Sequence, residues 1–224
     1  MREESKQSNS DISQKSVCII GCGGLGCNVS VHLAGAGAGK IFLCDFDCVE
    51  ESNLNRQFMY AFSDIGKSKC ETLVKKLSLY APQAEIKAVE KKICHESDLD
   101  FAVCCDLIIL AVDNNETRMV VNTFCLKNRI PVIDGGIDGF YGRMYFCIPH
   151  KTPCLFCAGM TAPKNGKTIP VSSSAGLIGS LEAAAAIQYL SSSDESMSGK
   201  IYIYDRDRFD ILPVKQSADC EFCK

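Results

Sequence analysis

Short apolar runs alternate with helical patterns along most of the chain. Residues 17–20 (VCII) form a run of strand length, and the glycine turn GCGGLG at 21–26 follows at once. Val29, Leu33 and Ala36 then recur at helical spacing, with Gly35, Gly37 and Gly39 as stop signals. Residues 41–44 (IFLC) are a second buried-strand run, ending on Asp45. Strand, glycine turn, helix, strand and acid thus fall within about 30 residues.

The alternation continues downstream. A polar segment at 51–64 contains NLNRQ. An amphipathic helix fits 67–80, a strand 85–89, the most apolar strand 107–112, a helix 117–127 and a short strand 131–133. This rhythm predicts a doubly wound, Rossmann-like α/β fold with a mostly parallel sheet and helices on both faces. The character changes near Asp138. Residues 143–148 fit an antiparallel strand, and 162–174, rich in Pro, Gly, Lys and Ser, reads as a mobile loop. An alanine-rich helix fits 175–190, and alternating runs at 200–204 and 208–214 predict a closing antiparallel hairpin. No internal repeat or long linker interrupts the chain. The expectation is one domain over 16–224 behind a polar tail, 1–15.

Composition narrows the class. The 224 residues suffice for one sizeable core, and a net charge of −3 gives no general reason to expect nucleic acid or an anionic membrane as partner. No apolar run approaches the roughly 20 residues of a membrane span. The N-terminal stretch lacks an apolar signal region, so the expected location is the cytoplasm. Fifteen cysteines is an odd number. Many lie inside apolar runs (Cys18, Cys44, Cys104, Cys105, Cys147), where a thiol packs as a small hydrophobe.

Candidate chemistry gathers at a few points. The turn Gly21, Gly23, Gly24, Gly26 between strand and helix lets backbone N–H groups approach phosphates at a helix N-terminus, and Asp45 stands where an acid binds ribose hydroxyls. By itself this fits NAD, FAD, S-adenosylmethionine or ATP equally. Arg56, close after the second strand, could reach phosphates at the turn. Asp113 follows the most apolar strand at the sheet's ligand edge, where one carboxylate could hold Mg²⁺ beside a triphosphate. Cys154-x-x-Cys157 and Cys220-x-x-Cys223 supply four thiolates in two knuckles, the pattern of a closed structural zinc site that ties the C-terminus to the domain. His32, His95 and His150 have no metal or triad spacing, and neither a G-x-S-x-G elbow nor a Walker lysine motif is present.

In this order the pieces resemble the ThiF/MoeB/HesA family, the ubiquitin-activating-enzyme-like adenylating proteins. The resemblance spans residue 17 to the end: GCGGLG, CDFD, NLNRQ, IGKSK, AVDN with Arg118 following, both cysteine pairs, and GSLEAAAAI at 179–187. It implies ATP as cosubstrate, with the glycine turn and Asp45 on the nucleotide and Asp47, Gln57 and Asn114 among its contacts. Asn53, Arg56 and Lys69 would contact the phosphates and offset charge as pyrophosphate leaves. Asp113 would take Mg²⁺, and the four cysteines zinc. The implied reaction joins the C-terminal glycine carboxylate of a ubiquitin-like or sulfur-carrier protein, ending in Gly-Gly, to AMP. In-line attack on the α-phosphate needs positioning and charge neutralisation, which suits a site of cations and carboxylates without a nucleophilic triad. The family also implies a homodimer.

Two features depart from the family pattern. Many relatives carry an N-terminal helix whose arginine reaches the partner subunit's ATP, whereas Arg2 is the only arginine before residue 17. Thioester- or acyl-disulfide-forming relatives place a cysteine in the crossover loop, and residues 162–171 contain none. The expectation is an enzyme that stops at the acyl-adenylate, with Cys22 or Cys27 at the turn as the alternative reactive thiol. Other readings are adenylation of a small molecule, peptide or tRNA base, an NAD-dependent oxidoreductase, and a non-catalytic partner subunit. The retained Arg56, Lys69 and Asp113 speak against the last.

Overall fold

The computed structural model describes residues 11–161 and 170–223. The first strand, β1 (Ser16–Ile20), pairs in parallel with β2 (Lys40–Cys44) on one side and β4 (Leu107–Leu110) on the other. β3 (Glu85–Val89) extends the sheet beyond β2, and β5 (Val132–Asp138) continues it beyond β4. β1, β2 and β4 are buried on both faces, which is why they read as unbroken apolar runs. β3, at the sheet edge, is more open.

Direction changes after β5. Only Gly139 and Phe140 separate it from β6 (Tyr141–Cys147), a connection long enough for a hairpin and too short for a crossover, so the pair is antiparallel. Gly139 takes φ +57° at this turn. β7 (Lys200–Asp205) and β8 (Arg208–Pro213) add two further antiparallel rungs. The eight-stranded order is β3-β2-β1-β4-β5-β6-β7-β8.

Helices cover both faces. On one lie α1 (Gly24–Gly35), α2 (Lys69–Tyr80) and α4 (Ser172–Ser192), packed over Val17, Ile19, Leu43, Leu107, Ile109 and Ile133. On the other, α3 (Asn115–Asn128) and a 3-10 turn at Glu96–Ala102 cover Cys18, Ile20, Phe42, Ile108 and Val132. α1 packs beneath α4, where a side chain at Gly179 would run into Asn28. This double burial makes α1 apolar on most sides.

Three details differ from the sequence reading. β5 runs on through Gly135 and Gly136 to Asp138, beyond the short strand expected at 131–133. Ile12, assigned to the polar tail, is buried, and its carbonyl accepts from Lys15 N and Gly39 N, so residues 11–15 pack onto the domain. Cys104, placed among apolar core thiols, is exposed, although ten of the fifteen cysteines are buried. The positions 1–10, with Arg2, and most of the crossover stretch, 162–169, lie outside the described residues. No helix among the described residues is long and apolar enough to cross a membrane.

Candidate functional site

Strand order reverses between β1 and β4, and doubly wound sheets open a crevice at such a point beyond the carboxyl ends of their strands. A cavity of about 670 Å³ occupies that position. Its wall includes Gly21, Gly23, Gly24, Asp45, Asp47, Asn53, Arg56, Gln57, Lys69, Asp113 and Asn114. Residues from five separate segments therefore converge on one space. Of the sequence-predicted site residues outside the cysteine knuckles, Gly26 alone is not in the wall. Its role is local: a Cβ there would collide with the Gly21 carbonyl, so glycine lets α1 start hard against the strand end. Gly21 turns at φ +96° against Ala111, a conformation and closeness that also call for glycine.

The turn is held from behind. Tyr60 donates its hydroxyl proton to Cys22 O at 2.8 Å and also lies within reach of Lys69 O, linking the glycine turn to the start of α2. Asp45 accepts from Cys22 N at 2.6 Å through Oδ2 and from Asp47 N at 2.8 Å through Oδ1. Burial raises its carboxyl above the ordinary value, while these two N–H donors and Lys69 oppose the rise. Lys69, only 6% exposed, pairs through Nζ with Asp47 Oδ2 at 2.9 Å. Asp47 itself is half exposed, so the pair faces the cavity and the lysine can change partner.

Arg56 folds back on its own loop, donating from Nη1 to Ser52 O and Asn55 Oδ1. Asn53 Oδ1 and Gln57 Oε1 are buried without a hydrogen-bond partner among the described residues. Asp113 is exposed in the loop after β4. Asn114 also caps α3, its side chain accepting from Thr117 N at 2.8 Å.

Behind this loop lies a second charged group that sequence reading did not assemble. Arg118, fully buried, donates from Nε to both oxygens of Asp134 at 3.0 and 2.9 Å, and from Nη2 to Val112 O and Gly135 O. Glu182 on α4 stands beside them with 0% exposure and neither carboxylate oxygen hydrogen-bonded among the described residues. Burial first, and then the Asp134 charge, push its pKa well above the usual 4.5, with Arg118 opposing. Its buried setting therefore favours the protonated form. Its signal in the sequence is a charged residue inside an alanine-rich run.

Sequence reading also missed Tyr60 and the cavity-lining Phe46, Lys91, Ile93 and Thr117. Cys22 and Cys27, the alternative reactive thiols, are sealed. Both are 0% exposed, and burial pushes their pKa up, that of Cys27 to about 12. His32 bonds Ser180 on the surface, as an isolated histidine would.

The four knuckle cysteines meet away from the cavity, on the α3 face. Sγ–Sγ separations are 4.0 Å for Cys154–Cys157, 3.6 Å for Cys154–Cys220 and 3.7 Å for Cys157–Cys223. Four thiolates around zinc at about 2.3 Å in a tetrahedron stand about 3.8 Å apart, so the donor set and spacing could hold that ion. Backbone N–H groups of Cys154 and Ser217 point at Cys223 Sγ and Cys157 Sγ, each at 3.3 Å.

The ThiF family model matches residues 2–223. The chain is 30% identical over 216 residues to the SAMP-activating enzyme E1 of Haloferax volcanii, covering 92% of this chain and 79% of that protein. It is likewise 30% identical over 217 residues to the molybdopterin-synthase adenylyltransferase of Salmonella typhimurium, covering 92% and 86%. Among solved structures, E. coli MccB with ATP superposes with a TM-score of 0.86 at 26% identity, over 96% of this chain and 68% of that one. Family model, relatives and superposition all run across nearly the whole chain, and the chain belongs to the ThiF family.

Proposed function

We propose that this chain catalyses ATP-dependent adenylation of the C-terminal glycine carboxylate of a ubiquitin-like or sulfur-carrier protein, releasing pyrophosphate. The adenylyltransferase class rests on the named relatives and the family. The observation that carries the residue assignment is the convergence of the glycine turn, Arg56, Lys69 and Asp113 on one cavity at the strand-order reversal.

Each group has a physical task. The N-terminal end of α1 and the glycine turn present N–H groups and a positive dipole end to phosphates. Asp45, already oriented by two backbone donors, receives ribose hydroxyls. Asn53 and Gln57 offer their amides to the nucleotide. Lys69 exchanges Asp47 for phosphate oxygens, and Arg56 does the same with its loop contacts. The carrier's carboxylate oxygen attacks the α-phosphorus, the bond to the bridging oxygen breaks, and the electron pair leaves with pyrophosphate. Lys69 and Arg56 offset that charge where it develops. Asp113, an exposed carboxylate on the cavity wall, is of the donor type Mg²⁺ takes, and the ion would neutralise phosphate charge. The crossover positions 162–171 contain no cysteine, which supports a reaction ending at the acyl-adenylate.

Zinc would be structural, since four thiolates fill a tetrahedral shell and leave no position for substrate. One zinc per purified chain, lost in Cys220→Ser, is the expected result of metal analysis; a metal-free native chain would overturn it. The same reading has the chain acting as a homodimer in the reducing cytoplasm, which sedimentation velocity and fractionation test.

The deciding experiment is ATP–pyrophosphate exchange with and without carriers ending in Gly-Gly. Exchange that appears only with such a carrier is expected. Exchange with a short peptide and none with any carrier would replace the carrier reading with peptide adenylation.

A further inference from the structure

We propose that Cys48 is a modification site in the wall of the nucleotide cavity, where a low-molecular-weight disulfide exchanges onto its sulfur and the adduct excludes the nucleotide. The inference rests on the reading of this cavity as the nucleotide site.

Accessibility separates this thiol from its neighbours. Two cysteines line the cavity among the described residues, Cys44 and Cys48. Cys44 is 1% exposed, its Sγ is bonded to Lys91 O at 3.4 Å, and burial pushes its pKa to about 12. Cys48 is exposed. Disulfide exchange needs a thiol that the reagent can reach, and of this pair only Cys48 offers one.

A second observation marks the same wall as a place where a ligand sits. Asn53 and Gln57 are 8% and 4% exposed and line the cavity, and Asn53 Oδ1 and Gln57 Oε1 have no donor among the described residues. Buried amide oxygens are nearly always satisfied, so a bound partner is the natural source of the missing donors. An adduct growing from Cys48 would compete for that space.

The backbone fixes where the adduct starts. Cys48 forms an isolated antiparallel bridge with Ser68, the residue that caps α2. On the adjoining rung Lys69 N donates to Asp47 O at 3.0 Å, and the two side chains form the ion pair described above. The sulfur is therefore tethered one residue from the charged pair assigned to phosphate handling.

The chemistry balances without another oxidant. The Cys48 thiolate attacks one sulfur of R–S–S–R, a Cys48–S–S–R bond forms, and R–S⁻ leaves with the bonding pair and takes up the proton. A reducing thiol reverses the step.

The test uses the full chain and glutathione disulfide, with mass mapping of each cysteine. Exposed Cys94 and Cys104, outside this cavity, serve as internal references. ATP at ten times its dissociation constant should slow adduct formation at Cys48 about tenfold and leave Cys94 and Cys104 unchanged. The Cys48 adduct should lose ATP binding by calorimetry, and dithiothreitol should restore it. Cys48→Ser, compared with its own untreated sample, should lose no ATP affinity on the same treatment. Equal labelling of Cys48 with and without ATP, or unchanged ATP binding by the adduct, overturns this inference alone. Failure of the untreated chain to bind ATP overturns the nucleotide reading beneath it.

Discussion

Two groups of charge flank the loop that follows β4, and they differ in what surrounds them. On the cavity side, Lys69 is buried but its partner Asp47 is half exposed, and Asp45 is held by backbone donors. On the inner side, Arg118, Asp134 and Glu182 are all fully buried, and Arg118 Nη2 holds the carbonyls of Val112 and Gly135. The Lys69–Asp47 pair can exchange partners with an incoming ligand at little cost, because Asp47 already meets water. The inner group cannot, because separating a desolvated pair exposes an unpaired charge to a low-dielectric interior. It holds the Val112 carbonyl, one residue before Asp113 on the cavity wall. One cluster would do chemistry, and the other sets the stage for it.

Removing the inner cation should have the largest effect. Arg118→Met takes the guanidinium away from buried Asp134 and from the carbonyls of Val112 and Gly135. A loss of about 3–5 kcal/mol in urea unfolding is expected. A loss below about 1 kcal/mol, the range of exposed pairs, would erase the distinction between the two clusters.

Lys69→Ala sharpens the contrast from the other side. Removing one preorganised donor from a reacting centre typically lowers turnover about 10²–10³-fold, and a similar fall in carrier-dependent pyrophosphate exchange is expected. Stability should change by no more than about 1 kcal/mol, since Asp47 is left facing solvent. A Lys69→Ala chain that exchanges at the original rate would remove Lys69 from the phosphate assignment. One that unfolds as easily as Arg118→Met would place it in the scaffold instead.

Elements written in local pattern were legible in the sequence. Unbroken apolar runs reported β1, β2 and β4 because both faces of those strands are buried. The glycine turn was legible because Gly21 and Gly26 meet steric demands that other residues do not. The knuckles were legible because four thiols at that spacing have few other uses. What remained hidden depends on pairing across the sheet. The strand expected at 131–133 runs on through Gly135 and Gly136, and a Cβ at Gly135 would collide with the Glu182 carboxyl. Arg118, Asp134 and Glu182 lie on α3, β5 and α4, so no spacing rule unites them. Cys104 fell in an apolar stretch, and only the path of the chain before β4 shows that it faces solvent.

The smallest of these effects concerns Glu182, whose environment sets the inner cluster most clearly apart from Asp45. Both carboxyls are raised by burial, but Asp45 has two backbone donors and Glu182 has none among the described residues. A carboxyl with a folded-state pKa above its unfolded value near 4.5 binds its proton more tightly in the native chain. Folding therefore takes up a proton in the window from the unfolded to the folded pKa, and stability falls as pH rises through it. The slope from one such group is about 1.4 kcal/mol per pH unit. Below that window, native and unfolded chains both carry the proton and the penalty vanishes. Glu182→Gln keeps the shape and removes the titration, so its stability relative to the parent should climb at that slope as pH is raised above the ordinary carboxyl value of 4.5. Urea unfolding of both proteins at three pH values measures the difference. Parallel curves would mean that Glu182 is ionised in the native chain and answers Arg118 directly, which would make the inner cluster a triad of charges and not an ion pair beside a neutral acid.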